Sequence, residues 1–168
     1  MTFPGLERYR MTSKEREVFL SEFQLVVRNV DLANIQLDDP AITALLKVKG
    51  VYFCTVRVAD SDYKLYAGRT ESLPRRLADY KRGFQEHSPN DFKLRFFQPF
   101  FLARFPSAEF SLFFHATHDF KTKETEVVRS YKPLINERQA AKPEARSAVK
   151  QAYENYYVKI FEEKLSAR

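Results

Sequence analysis

The clearest structural pattern in the chain lies in residues 50–80, GVYFCTVRVADSDYKLYAGRTESLPRRLADY. Residues 51–58 are β-branched or aromatic almost throughout, polar turn residues occupy 59–62, and alternation resumes at 63–67. This pattern predicts two adjacent antiparallel strands joined by a short turn. Gly68 is expected to end the second strand.

A helix is expected to follow this hairpin directly. Ser72 is a candidate N-cap, Pro74 suits the first turn because its missing N–H needs no partner there, and the helix begins near Leu73. The stripe on its inner face consists of Leu73, Arg76, Leu77 and Tyr80. Arg76 in such a stripe is either a packed stem whose charged head reaches water or part of a functional site.

Two phenols and two guanidinium groups converge on this corner of the predicted sheet. Tyr52 and Tyr66 come from the two hairpin strands. Arg69 lies at the corner between strand and helix, and Arg76 follows inside the helix. Fixed cations beside phenolic hydroxyls are suited to binding phosphate oxygens, so the stretch predicts a phosphate site.

The spacing of these residues also matches a known motif. The matching positions are Gly50-Val51-Tyr52, Tyr66-Ala67-Gly68, Arg69 and Arg76-Leu77. In this pattern the chain resembles the GIY-YIG nucleases, which include intron homing endonucleases and some type II restriction enzymes. Residues 66–77, YAGRTESLPRRL, are most similar to the nuclease half of the bacterial excision-repair incision subunit. The resemblance covers Gly50 to about Glu137.

A third strand and another helix are expected after the hairpin and its helix. Residues 109–116 alternate cleanly between apolar and polar side chains, which predicts a strand. A helix that starts at Asp119 or Thr122 is expected to run to about Tyr131, because Pro133 disfavours its continuation.

Four further helices are expected around these elements. The first spans 14–28, is capped by Ser13, and has an apolar side formed by Val18, Phe19, Phe23 and Val26. The second is short, begins at Asp39-Pro40, and has the inward-facing residues Ile42, Leu45 and Leu46. Residues 91–98 are expected to be helical, with Pro99 kinking or restarting the helix. Residues 144–164 outline an amphipathic helix near the end of the chain.

These elements predict an α/β fold with a small, mostly antiparallel three-stranded sheet flanked by helices. Residues 1–168 are expected to form a single domain. In it a helical N-terminal extension, 1–47, precedes a GIY-YIG-like catalytic core, 48–137, and a C-terminal helix, 138–168, follows. No repeat, Gly/Ser linker or low-complexity block indicates a second unit.

Composition bounds the class of partner. The chain has 168 residues, 44% of them hydrophobic, which is enough to form a buried core. Its formal net charge of +6 favours a polyanionic partner but does not identify it. The single cysteine, Cys54, lies in an apolar stretch, so neither a disulfide framework nor a cysteine metal cluster is expected. The first residues lack an apolar run of signal-peptide length, and we expect a cytoplasmic protein without a membrane partner.

Glu124 is the candidate metal ligand. It lies on the apolar side of its predicted helix, where a carboxylate must be paired with a cation or pay a large desolvation cost. Spacing alone leaves a salt bridge to Arg76 open. The resemblance implies instead a metal-binding glutamate nine residues before a proline that is followed by an asparagine, and Glu124, Pro133 and Asn136 match that order.

The resemblance implies a metal-dependent DNA endonuclease that hydrolyses phosphodiester bonds. Glu124 would hold Mg²⁺, or Mn²⁺, with water and phosphate oxygens completing the coordination. Arg76 would contact the scissile phosphate, and Tyr52 would activate the attacking water with help from nearby guanidinium groups. Tyr66 would be a second phenol that positions water or phosphate, and Arg69 an auxiliary cation.

Other residues are expected to support this site. The candidates for contacting the DNA backbone are Arg69, Arg75, Lys81, Arg82 and Lys93. The residues expected to shape the site without taking part in bond breaking are Gly50, Gly68, Tyr80 and Asn136. Of these, Asn136 is expected to bond loop backbone near the site.

Two other interpretations stay open at this point. The chain can be a catalytically silent nucleic-acid-binding module with the same fold, or a basic adaptor whose partner is an acidic protein. The oligomeric state is also open. A restriction-type enzyme would act as a two-fold homodimer on a palindrome, whereas a repair or mobile-element enzyme could act as a monomer.

Overall fold

The computed structural model of the chain describes residues 3–85, 92–136 and 149–167. The strands are β1 (Gln24–Val27), β2 (Gly50–Val58), β3 (Ser61–Thr70) and β4 (Glu109–Ala116). They form one antiparallel sheet in the order β1-β4-β2-β3. The helices are α1 (Ser13–Glu22), α2 (Pro40–Thr43), α3 (Leu73–Arg82), α4 (Lys93–Leu102), α5 (Phe120–Tyr131) and α6 (Val149–Ser166), preceded by a short 3-10 helix (Pro4–Tyr9).

The hairpin of β2 and β3 is present as predicted, but its second strand is longer. The turn begins at Ala59, whose backbone is left-handed with φ of +54°. β3 does not end at Gly68 but continues to Thr70, which pairs with Gly50, because β2 offers backbone partners along its whole length. Arg69 therefore lies within the strand rather than at a corner after it.

The single helix predicted over 14–28 is wrong. α1 begins with a capping box between Thr12 and Glu15 instead of a Ser13 cap, and a strand, β1, follows it. The apolar sequence of β1 is compatible with either a helix or a strand. It forms a strand because β4 offers unpaired backbone N–H and C=O groups with which it forms hydrogen bonds. The fold is α/β as predicted, but its antiparallel sheet has four strands rather than three. Val18, expected to face inward, is exposed.

α4 continues through Pro99, so the expected restart of the helix there is wrong. The proline ring is exposed and removes one backbone donor from the helix. Phe97, two residues earlier and buried, meets the Phe161 ring of α6 edge-on with centroids 4.9 Å apart and stacks on Phe101 at 5.3 Å. These contacts hold the helix on both sides of Pro99 and outweigh one missing hydrogen bond.

The sheet is covered on both faces. Tyr52 and Cys54 of β2 belong to a core that includes side chains of α3, α4 and α6. Val51 and Phe53 of the same strand belong to a second core with side chains of α1 and α5. Burial on both sides explains why β2 reads as an unbroken apolar run, whereas β4 alternates.

The segment around α2 departs from expectation at one residue. Ile42 is buried and Leu45 is partly buried, as predicted, but Leu46 is 58% exposed. The backbone at Lys47 is left-handed, with φ of +59°, and the chain turns there and leaves Leu46 outside the core.

The last predicted helix corresponds to α6. Residues 144–148 of that prediction lie outside the part of the chain that the structure describes. Of the helices within 3–85, 92–136 and 149–167, none combines the length and apolarity that crossing a membrane requires.

One end of the sheet gathers the starts of two helices. Gly50 pairs with both Thr70 and Ala116, so three strands are in register at this end. α3 begins three residues after Thr70, and α5 begins four residues after Ala116. We call this the helix-start end. Because α3 and α5 cover opposite faces, their first turns flank the same end of the sheet.

Candidate active site

α3 holds Arg76 against the sheet. The rest of its inner stripe is fully buried, whereas the Arg76 side chain is 19% exposed. Ser72 is the N-cap residue of this helix, as predicted, but its side chain makes no capping hydrogen bond. Its Oγ accepts instead from the backbone N–H of Lys47 at 3.2 Å, which ties the turn after α2 to the start of α3.

Arg76 meets three tyrosines, and we call this group the tyrosine–arginine cluster: Arg76, Tyr52, Tyr66 and Tyr80. Arg76 Nε donates to Tyr52 Oη at 3.1 Å, and the guanidinium carbon lies 5.2 Å from the centre of the Tyr80 ring. The Tyr52 and Tyr80 hydroxyls are 2.7 Å apart. The ring centres of Tyr52 and Tyr66 are 6.0 Å apart. A cation and three phenols from two strands and a helix therefore share one small region.

Gly68 makes room for Tyr52. The two residues are cross-strand partners, and a Cβ at Gly68 would overlap the Tyr52 phenol. Gly50 is constrained similarly, because a Cβ there would overlap the His115 carbonyl group on β4. Both positions thus require glycine because a neighbouring side chain or backbone carbonyl lies against the Cα atom, and not because the backbone angle is unusual.

Burial keeps two tyrosines of the cluster protonated. It raises the pKa of Tyr66 well above the ordinary value of 10.0, Tyr52 adds to the shift, and the Arg76 charge opposes it without reversing it. Burial likewise raises the pKa of Tyr80, with Tyr52 and Tyr66 adding to the effect. Both hydroxyls are therefore neutral donors at ordinary pH, and Tyr80 can donate to the Tyr52 oxygen.

Glu124 approaches the helix-start end from the other face. Its Oε1 lies 3.7 Å from Nη1 of Arg69 on β3, and its side chain is 26% exposed. After burial and Tyr52, the charge of Glu124 also contributes to the raised pKa of Tyr66, so the carboxylate is within electrostatic reach of the cluster. Arg76 is the fourth residue of α3, and Glu124 is the fifth residue of α5. Each therefore lies within roughly 4–6 Å of the start of its helix, measured along the helix axis.

β3 is the edge strand on which the two halves of the site meet. Tyr66 packs against the core on the α3 side, and Arg69 contacts Glu124 on the α5 side. Asn136 closes the edge between them, since its Oδ1 accepts from the N–H of Ala67 and its Nδ2 donates to the Ala67 carbonyl, both at 2.8 Å. One amide thereby satisfies both backbone groups of an edge residue and fixes the strand beside Tyr66.

No family model, curated protein or solved structure matches this chain. The likeness to the GIY-YIG nucleases therefore rests on the motif residues alone. Independent of that likeness, residues from β2, β3, α3 and α5 are brought to one end of the sheet.

The predicted DNA-contacting cations differ in their exposure and in the contacts that they already make within the protein. Arg75 is exposed on α3. Lys81 donates to a backbone carbonyl of the loop before α2 at 3.3 Å, and Arg82 pairs with an aspartate of its own helix. Lys93 is partly buried at the start of α4, and Arg69 is held near the carboxylate on α5. Of this set, Arg75 is exposed beside Arg76 in the sequence, and Arg69 contacts the candidate metal ligand Glu124.

Sequence reasoning misses two exposed lysines at the helix-start end. Lys47 is fastened to Ser72 through its backbone, and Lys49 Nζ lies 5.8 Å from the ring centre of Phe120, the first residue of α5. Both ammonium groups are on the outside of the protein. Two cations immediately before the Gly50 motif are a signal that could have indicated them.

Glu124 offers a metal ion one carboxylate rather than a protein cage. Within 3–85, 92–136 and 149–167 there is no group of three or more His, Cys, Asp or Glu side chains that could hold a metal ion. A single carboxylate still suits Mg²⁺, which keeps several waters and takes phosphate oxygens as ligands. The partly exposed pair with Arg69 is worth only about 0–1 kcal/mol, so a divalent ion can replace the guanidinium.

Proposed function

We propose that the chain is a metal-dependent DNA endonuclease that hydrolyses phosphodiester bonds at the helix-start end of the sheet. The observation that carries this proposal is the fixed guanidinium of Arg76, bonded to Tyr52 and lying over Tyr80. An oriented cation beside phenols suits the charge of a phosphoryl transition state. The motif likeness to the GIY-YIG nucleases supports the same activity.

Arg76 is proposed to stabilise the negative charge that develops on the phosphate as water attacks. Its Nε bond to Tyr52 and its contact with the Tyr80 ring fix the orientation of the guanidinium plane. A charge that is oriented before the reaction needs no reorganisation as the transition state forms. Loss of one such preorganised donor costs about 10²–10³-fold in rate.

The two motif tyrosines are proposed to have different roles. Tyr52 has no exposed surface, and its oxygen is engaged by Arg76 and Tyr80, so it positions the guanidinium. Tyr66 is partly exposed, and its protonated hydroxyl can donate to a phosphate oxygen or to the attacking water. Water activation by Tyr52, which the motif predicts, would require the cluster to open.

Glu124 is proposed to hold Mg²⁺ or Mn²⁺ through its carboxylate. When bound, the ion supplies a Lewis acid that offsets charge on the leaving oxygen. Arg69, now 3.7 Å from Glu124, would give up this carboxylate to the ion and become free for a DNA phosphate. The exchange gives both members of the ion pair a role toward the substrate.

Incubation of the protein with plasmid and Mg²⁺, beside an EDTA control, tests this proposal. Glu124→Gln should retain DNA binding and lower the cleavage rate by at least about a hundredfold, because the metal contributes several kcal/mol to the transition state. Glu126→Gln is the matched control, since this carboxylate lies on the same helix but is 63% exposed and pairs with Lys123. Cleavage that persists in Glu124→Gln contradicts the metal assignment.

A catalytically silent nucleic-acid-binding module is the second candidate. The contact between Arg69 and Glu124 favours it, because an ion pair that persisted in the DNA complex would tie β3 to α5 and keep Glu124 from binding a metal. Plasmid that stays intact, together with DNA affinity that falls steeply as salt rises, would select this module. Absence of DNA binding at low salt would instead favour an acidic protein partner.

A further inference from the structure

The turn after α2 presents an apolar side chain to solvent. Leu46 is 58% exposed, more than any other large hydrophobic side chain within 3–85, 92–136 and 149–167. Its apolar neighbours in the chain, Leu45 and Val48, are partly buried against the core, and Lys47 is charged, so these residues extend the exposed apolar surface little. Leu46 is therefore an isolated apolar projection and not the centre of a broad hydrophobic patch.

The backbone beneath Leu46 is ordered by hydrogen bonds. The N–H of Leu46 donates to the Thr43 carbonyl at 3.1 Å, and the N–H of Val48 donates to the Leu45 carbonyl at 3.1 Å. The N–H of Lys47 donates to the Ser72 hydroxyl at 3.2 Å. A side chain carried on such a turn is preorganised, so a ligand does not have to order a loop in order to contact it.

This turn stands beside the proposed active site. Ser72, to which it is bonded, is the residue that precedes α3, the helix of Arg76. Lys49 lies over the ring of Phe120, the first residue of α5, the helix that carries Glu124. The segment that carries Leu46, Lys47 and Lys49 is therefore attached to the starts of both helices at the helix-start end.

Lys47 and Lys49 give the surface around Leu46 a positive charge. Both are exposed, and neither ammonium group forms an ion pair with a carboxylate in the part of the chain that the structure describes. A single exposed leucine followed in the chain by two exposed lysines is ill suited to a membrane or to an apolar protein groove, which require wider apolar contact. It suits nucleic acid, whose bases offer apolar faces between rows of phosphates.

We propose that Leu46 is a wedge that inserts between stacked bases of a DNA duplex, while Lys47 and Lys49 bind the flanking phosphates. The inference rests on the proposed function and adds to it a specific mode of DNA contact. Apolar side chains that enter a base step unstack it and kink the duplex. A kink beside the start of α3 would bend the backbone toward Arg76.

The test uses the full-length Glu124→Gln chain and a duplex that contains 2-aminopurine, whose fluorescence rises when it is unstacked. Binding should raise the emission severalfold. The further change Leu46→Ala should abolish most of that rise and weaken binding by about tenfold, because one buried leucine side chain is lost. Leu25→Ala is the matched control, since Leu25 is 43% exposed but lies on β1 at the opposite edge of the sheet.

A charge variant checks the phosphate contacts separately. Lys47→Asn keeps a residue that tolerates left-handed backbone and should reduce the slope of log affinity against log salt by about one. If the duplex is bound but its emission does not rise, or rises equally with Leu46→Ala, the wedge is wrong and the proposed function stands. If the Glu124→Gln chain does not bind DNA, both are overturned.

Discussion

Arg76 uses Nε to bond Tyr52 and its flat guanidinium face to contact Tyr80. Both interactions depend on the planar, multiply bonding shape of arginine and not on its charge alone. A lysine at the same position keeps a positive charge, but its single, freely rotating ammonium group has neither the Nε donor nor the flat face. A lysine substitution at Arg76 therefore separates the effect of side-chain geometry from the effect of charge in the proposed reaction.

Arg76→Lys should lower the cleavage rate by about 10²–10³-fold, since it removes an oriented donor from the transition state. Thermal unfolding should change little, because the side chain is at the solvent boundary of the core. Arg129→Lys, at an exposed position on α5 and outside the proposed site, is the control and should cleave like the unaltered protein. A variant Arg76→Lys that simply unfolds would assign Arg76 a structural role.

At the scale of elements, Asp62 joins the hairpin to α1. Its two carboxylate oxygens accept from Nε and Nη2 of Arg57 on β2, both at 2.9 Å, and Arg16 of α1 bonds the same carboxylate. Burial by itself would raise the pKa of Asp62, but Arg57 and then Arg16 outweigh it, so the pKa lies below the ordinary value of 3.8. Three elements thus share one charged junction.

The Asp62 junction makes stability depend on acid pH. A folded pKa below the unfolded one adds stability that is complete above about pH 4 and is lost as the pH falls through the folded pKa. Asp62→Asn should therefore lower the free energy of unfolding at neutral pH by about 1 kcal/mol and flatten its decline below about pH 4. Urea denaturation at several pH values measures this, with exposed Asp60→Asn as the control. An unchanged acid slope in Asp62→Asn would contradict it.

At the scale of the whole molecule, both ends of the described chain belong to the core under Tyr52. Leu6 of the 3-10 helix and Leu165 of α6 are buried in the same cluster as Tyr52. Phe161 of α6 lies against Phe97 of α4, with ring centres 4.9 Å apart. The described residues of the predicted extensions, 3–47 and 149–167, therefore contribute to the core and are not separate additions to a finished central unit.

Phe161→Ala should destabilise the whole fold, because it removes a side chain that is 1% exposed and leaves a cavity between α4 and α6. The expected cost is about 3–5 kcal/mol, a large part of the stability of a domain of this size. Phe161→Leu should cost less than about 1.5 kcal/mol. Denaturant unfolding followed by circular dichroism tests this. Loss of α6 signal with an unchanged main transition would show that α6 is independent of the core.

Part of the candidate site could be predicted because its residues occur close together in the sequence. Tyr52, Tyr66 and Arg76 lie on a hairpin and the helix that follows it, so their approach depends on local geometry. The contact of Arg69 with Glu124 could not be predicted from spacing, because it depends on where α5 packs against the sheet. The full burial of Tyr52 was likewise not visible, since it requires Arg76 and Tyr80 to close over the phenol.

The sequence by itself determined the hairpin, the start of α3, the strand β4 and the helix α5. Each of these is specified by local chemistry: alternation of side chains, turn residues, and a proline at the right end of a helix. The tertiary structure alone decided that β1 is a strand, that α4 passes through Pro99 and that Leu46 faces solvent. In those places local preference is weak or divided, and a partner distant in the sequence supplies the missing free energy: the edge of β4, the rings of α6, and the hydroxyl of Ser72.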